Sequence, residues 1–140
     1  MRAAEFRIGN YVWDNYSGEM LVSQITYSTE SVFLRKTWSL PDGRFSCIDI
    51  KPIPLTEEWL LKFGFKEDKI RSWFFKDCGE YRIRISVNVF FGMLEKESSW
   101  FVSILTGYGS QPVTLGKQYV HQLQNLYFAL TGEELEIKTN

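Results

Sequence analysis

Residues 81–90, "YRIRISVNVF", constrain the fold of this chain more than any other stretch. Tyr81, Ile83, Ile85, Val87 and Val89 alternate without a break against Arg82, Arg84, Ser86 and Asn88. Only an extended backbone sends every second side chain to the same side, so the pattern predicts a strand with one buried face and one wet face. A single strand cannot stand alone. "SWFFKD" (72–77), with a turn at Cys78 and Gly79, and "WFVSILT" (100–106) supply neighbours, and together they predict a three-stranded antiparallel sheet. The Gly- and Pro-bearing "GYGSQP" (107–112) reads as a loop, after which Thr114 or Gly116 begins the final helix.

Two helices are expected against the apolar face of that sheet. In "KPIPLTEEWLLKFGF" (51–65), Pro52 and Pro54 mark a boundary, Thr56 is an N-cap, and Glu57 and Glu58 sit where the helix dipole favours negative charge. Leu55 and Leu60 occupy hydrophobic-staple positions, and Gly64 closes the helix as its left-handed C-cap residue. Trp59, Leu60 and Phe63 form the apolar face. The second helix lies in "YVHQLQNLYFALTGEEL" (119–135), where Tyr119, Leu123, Leu126, Tyr127 and Leu130 recur at helical spacing. His121, the only histidine, falls off that stripe beside Gln124, Asn125 and Phe128, which predicts a solvent-side or locally hydrogen-bonded imidazole. It has no Glu-x-x-His or His-x-x-x-His partner to form a metal site.

The first half is all short strands. "YVWD", "EMLVSQITY", "SVFLRK" and "RFSCIDI" are separated by the turn signals "NYSG", "STE" and "PDG". Four or five strands in about fifty residues leave too much open surface, so a small closed barrel is the economical arrangement. The opening "FRIGNYVWDNYSGEMLVSQI" (6–25) resembles the entry of an SH3-like barrel, a fold that serves many kinds of partner. The expected class is therefore α+β. Residues 1–53 make a small SH3-like β-barrel, and residues 54–140 make a two-layer unit of a three-stranded antiparallel sheet with two helices on one face.

Charge and motifs exclude several functions. Lys+Arg 16 against Asp+Glu 17 gives a net charge of -1, which removes the general electrostatic case for nucleic acid or an anionic membrane. No stretch reaches the roughly 20 apolar residues of a membrane span or the apolar run of a signal peptide, so a cytoplasmic protein is expected. Cys47 and Cys78 stand far apart, without ligand spacing, and a disulfide is disfavoured. There is no G-x-S-x-G, P-loop or G-x-G-x-x-G, so neither an enzyme nor a cofactor is expected, and the carboxylate pairs Glu57–Glu58 and Glu133–Glu134 are explained by helix ends.

What is left is binding. Aromatic residues make up 16% of the chain, and Tyr11, Trp13, Tyr16 and Trp38 are candidates for a groove that takes a protein or peptide partner. A second reading places single-stranded nucleic acid on a basic stripe of Arg71, Lys76, Arg82 and Arg84, with Trp73 or Phe75 as a stacking surface. The blocks "RIGNYV" (7–12), "IPLTEEWLLKFGF" (53–65) and "YVHQLQNLYFALTGEEL" (119–135) together resemble a family of short proteins encoded by phages, prophages and mobile elements of gut bacteria. That resemblance implies a cytoplasmic accessory protein and carries no activity, cofactor or site residue with it.

Overall fold

The computed structural model describes residues 2–36, 43–88, 99–116 and 118–138. The chain divides into two compact units: Met1–Pro54 with Tyr119–Leu126, and Leu55–Gln118 with Tyr127–Asn140.

In the first unit, β1 (Tyr11–Asp14), β2 (Gly18–Thr26), β3 (Ser31–Arg35), β4 (Gly43–Ser46) and β5 (Ile50–Lys51) form one antiparallel sheet in the order β4-β3-β2-β1-β5. Val12, Met20, Val22, Val32, Leu34 and Ile50 point to its buried side. Each such side chain contributes about 1.5–3 kcal/mol by leaving water. The imperfect alternation of "VSQITY" has a structural cause. Val22 pairs with Leu34 and Ile25 with Val32, so three residues on β2 span two on β3, and a bulge returns Ile25 to the core side.

The expected SH3-like barrel is not formed. The sheet is open, and no ladder joins its edges β4 and β5 among the described residues. The edges end early because "RFSCIDI" breaks into β4, a 3-10 turn at Cys47–Asp49 and a two-residue β5 that Pro52 cannot extend. Ala3 and Phe6, from an N-terminal 3-10 turn, complete the core that barrel closure would have sealed.

A second contribution comes from α2 (Val120–Thr131), whose residues to Leu126 belong to this unit. Gln124 accepts from the Tyr11 N–H at 2.9 Å and donates to the Gly9 carbonyl at 3.0 Å, so one amide side chain pairs with backbone as a neighbouring strand would. Asn125 accepts from Asn10 Nδ2 at 3.0 Å and donates to the Glu5 carbonyl at 3.3 Å. Asn10 and Gln124 are almost wholly buried, and this pairing is what makes their burial tolerable.

The second unit opens with α1 (Glu57–Lys62), whose ends follow the expected chemistry. Thr56 Oγ1 accepts from the Trp59 N–H at 3.3 Å. At the other end Gly64 has φ +82°, its N–H donates to Leu61 and that of Phe65 to Leu60, both at 3.0 Å, which together make a Schellman closure. The sheet of this unit has five strands, not three: β6 (Lys66–Asp68), β7 (Trp73–Cys78), β8 (Tyr81–Asn88), β9 (Ser99–Thr106) and β10 (Gly109–Gly116), in the order β10-β9-β8-β7-β6. β6 is three charged residues with no apolar signal. β10 occupies the segment expected as loop and helix start, because Gly109, at φ +136°, turns the chain back and Pro112 sits on an edge strand beside a bulge, where its missing N–H does little harm. With ten strands, a six-residue α1 and α2 as the only longer helix among the described residues, the chain is mainly β and the α+β expectation is corrected.

Phe74, Ile83, Ile85, Trp100 and Val102 are buried on one side of this sheet, and Trp100 Nε1 donates to the Leu55 carbonyl at 3.0 Å. Tyr81, expected with them, is 38% exposed at the strand end, and Val89 lies outside the described residues. Gly64→Ala should lower stability by about 1–2 kcal/mol, since a left-handed residue with a Cβ carries that penalty. Urea unfolding of the two proteins measures it, and equal midpoints would show that the helix does not depend on this closure.

Candidate functional site

The opposite side of the second sheet is half open. Register places Trp73 beside Ser86, Phe75 beside Arg84, Asp77 beside Arg82, and Arg84 beside Ser103, so these side chains share one face with Phe101 and Leu105. Trp73, Phe75, Phe101 and Leu105 are each partly exposed there. Arginines lie over the rings. The Arg84 guanidinium is 4.4 Å from the Trp73 centroid and that of Arg71 is 5.3 Å from it, while Arg82 lies 4.6 Å over Phe75. Each stack contributes about 0.5–1 kcal/mol at a site this open and keeps the guanidinium flat on the ring.

The three arginines differ in what else they hold. Arg82 makes two hydrogen bonds to Asp77, at 2.6 and 3.2 Å, and that bonding holds the Asp77 carboxyl below the usual carboxylate range. Arg71 stands 4.0 Å from Asp68. Arg84 has no carboxylate in reach among the described residues. Among the described residues, Lys66, Arg71, Arg82 and Arg84 face only Asp68 and Asp77 here, a surplus of two positive charges on a chain of net charge -1. Next to Arg84 on the neighbouring strand, Ser103 is 0% exposed and its Oγ has no hydrogen-bond partner among the described residues. A buried hydroxyl in that state costs about 1–3 kcal/mol.

Of the expected basic stripe, the structure brings together Arg71, Arg82 and Arg84 and leaves out Lys76. Lys76 pairs with Ile83 on the other side, donates to the Phe63 carbonyl at 3.1 Å, and has its pKa lowered by burial and by Lys138. Phe101, Ser103 and Leu105 join this face as well, and their spacing of two in "WFVSILT" is the sequence signal for it. In the first unit Tyr11 and Trp13 share the side of β1 opposite Val12 and Asp14. Trp13 is 42% exposed and Tyr16, in the following turn, is 98% exposed. Trp38 lies outside the described residues. The proposed groove is therefore represented by one half-open strand face and one turn.

His121 is not on the solvent side. It is 3% exposed, with Phe6 at 5.8 Å and Tyr119 at 6.1 Å between ring centroids, and its Nδ1 has no partner among the described residues. Burial lowers its pKa, opposed by Glu5. Cys47 and Cys78 are free and buried, and burial raises both thiol pKa values, which keeps them protonated and poorly nucleophilic. Cys78 borders a cavity of about 480 Å³ with Asp77, Glu80, Tyr81, Tyr127 and Glu133. No group of three His, Cys, Asp or Glu among the described residues is placed to hold a metal ion, and no helix among them is long and apolar enough to cross a membrane. Comparison with models of known protein families, with curated proteins and with solved structures finds no match.

The buried imidazole sets a pH dependence. Its folded pKa lies below the ordinary 6.5, so the unfolded chain binds the proton first. The stabilisation is full above that pH and falls as the pH drops beneath it, with a slope approaching about 1.4 kcal/mol per pH unit. Chemical denaturation at a series of pH values should show this decline, and His121→Asn should flatten it. An unchanged slope in the variant would place its origin elsewhere.

Proposed function

We propose that this protein is a cytoplasmic, non-enzymatic binding module, an accessory protein of phage or mobile-element origin. It engages a protein or peptide segment through the outward face of β6–β9. The observation that carries this reading is Trp73, half exposed on a strand and stacked by the guanidiniums of Arg71 and Arg84. Trp and Arg dominate the energetics of protein contacts, Trp through large area with few freely turning bonds and Arg through several donors in one planar fork. Stacking holds these side chains in place before a partner arrives, which reduces the ordering cost of association. The free, buried thiols agree with a reducing compartment. The three sequence blocks that resemble the mobile-element family support the origin.

Single-stranded nucleic acid on the same face is the second reading, favoured by the surplus of positive charge. It is the weaker one, since a base needs a free ring face and arginines already lie over Trp73 and Phe75. The aromatic pair Tyr11 and Trp13, with Tyr16, is the alternative peptide surface in the first unit.

Selection from a random peptide-display library tests the choice. Peptides enriched on the wild-type protein should bind Trp73→Ala about tenfold more weakly, a typical loss for a contact anchor, and Trp13→Ala equally well. Thermal unfolding confirms that each variant is folded. Enriched peptides that bind Trp73→Ala as tightly as wild type, or failure to enrich any sequence while an oligothymidylate binds with a steep salt dependence, would overturn the reading.

A further inference from the structure

We infer that Arg84 anchors a carboxylate of the partner, so that the segment recognised is acidic; this rests on the reading of the β6–β9 face as a peptide contact surface. Arg82 has its hydrogen bonds directed to Asp77, and Arg71 has Asp68 beside it. Arg84 carries the same planar set of donors, held flat on Trp73, with no carboxylate paired to it among the described residues. A stacked guanidinium keeps its N–H edge available, and the carboxylate is the acceptor whose two oxygens match that fork.

Ser103 gives an independent indication. It stands directly across from Arg84 on β9, on the same face, and its hydroxyl is covered yet lacks an acceptor. Directly opposed residues on neighbouring strands bring their Cβ atoms to about 4.5–5.5 Å, so one anion can serve both. A carboxylate has lone pairs enough to take the guanidinium fork and the hydroxyl together. Ser103 Oγ is covered in the free protein, so it meets that carboxylate only as the side chains over it part on binding.

Charge argues for a carboxylate over a phosphate chain. The surplus on this face is two charges, and Asp68 and Asp77 stand among the arginines. A nucleic-acid strand, with a charge on every nucleotide, would run across those carboxylates. A peptide can place one or two acids opposite Arg84 and neutral or apolar residues opposite Trp73, Phe101 and Leu105.

Fluorescence anisotropy with two synthetic extended peptides tests this: one in which Glu alternates with Val and Thr, and the same peptide with Gln for every Glu. Wild-type protein should bind the Glu peptide about tenfold more tightly, the scale of a charge-assisted bidentate pair. Arg84→Gln should remove that preference and leave the Gln peptide unaffected. Arg84→Lys should keep only part of it, because an ammonium lacks the fork. Ser103→Ala should weaken the Glu peptide by about threefold while the unfolding temperature is unchanged or raised, since the substitution removes a buried hydroxyl that has no partner in the free protein. Equal binding of the two peptides, or an Arg84→Gln protein that still prefers Glu, overturns the carboxylate anchor. If the Gln peptide alone binds and loses affinity in Trp73→Ala, the contact surface stands and the anchor fails. An oligothymidylate that outcompetes the Glu peptide overturns both.

Discussion

A pleated strand cannot put neighbouring side chains on the same face, and the organisation of this chain follows from that constraint. Along β8, Ile83 and Ile85 go to the core, which leaves Arg82 and Arg84 no place but the outer side. Register then determines what the arginines meet. Because Trp73 and Phe75 stand opposite Ser86 and Arg84, the rings of β7 and the guanidiniums of β8 share one surface, and cation–π stacking orders both. In the first unit the same rule sends Val12 inward and Tyr11 and Trp13 outward. Core and outward aromatic face are two consequences of one backbone geometry.

Electrostatics refine this picture at a scale that overall charge conceals. A chain of net charge -1 carries a face with two surplus positive charges among the described residues, and even there the cations are unequal. Asp77 takes up the donors of Arg82, and Asp68 stands by Arg71. The strand pairing that places Arg84 away from both carboxylates, and beside the covered Ser103 hydroxyl, is what distinguishes it. Specificity in such a surface comes from which donors are left without acceptors, more than from how many charges it holds.

The legible parts of the sequence were those where local chemistry agrees with the final fold. Thr56 and Gly64 mark the ends of α1 through caps that need no tertiary context, and the alternation of β8 is unambiguous. β10 was hidden because an edge strand tolerates Gly, Ser, Gln and Pro, residues that read as loop. β6 was hidden because three charged residues pair through backbone alone. The barrel expectation failed at "RFSCIDI", where a 3-10 turn interrupts what alternation presents as one strand. His121, Gln124 and Asn125 misled for a different reason: helical periodicity marks polar positions as wet, yet here they face partners that satisfy Gln124 and Asn125 against backbone and Asn10. Within the candidate site, Arg82, Arg84, Trp73 and Phe75 could be read from two strands, and alternation along β7 already sets Lys76 on the side opposite Phe75, whereas the place of Ser103 depends on register between strands.

If a partner binds on the outward face of β6–β9, it covers Trp73, Phe75 and Phe101. Hydroxyl-radical footprinting of the protein with and without a bound peptide, resolved by residue, tests it most directly. Reduced oxidation of Trp73, Phe75 and Phe101 is expected, with Trp13 and Tyr16 oxidised as before. Protection of Trp13 and Tyr16, with Trp73 and Phe75 unchanged, would contradict it and move the contact surface to the first unit.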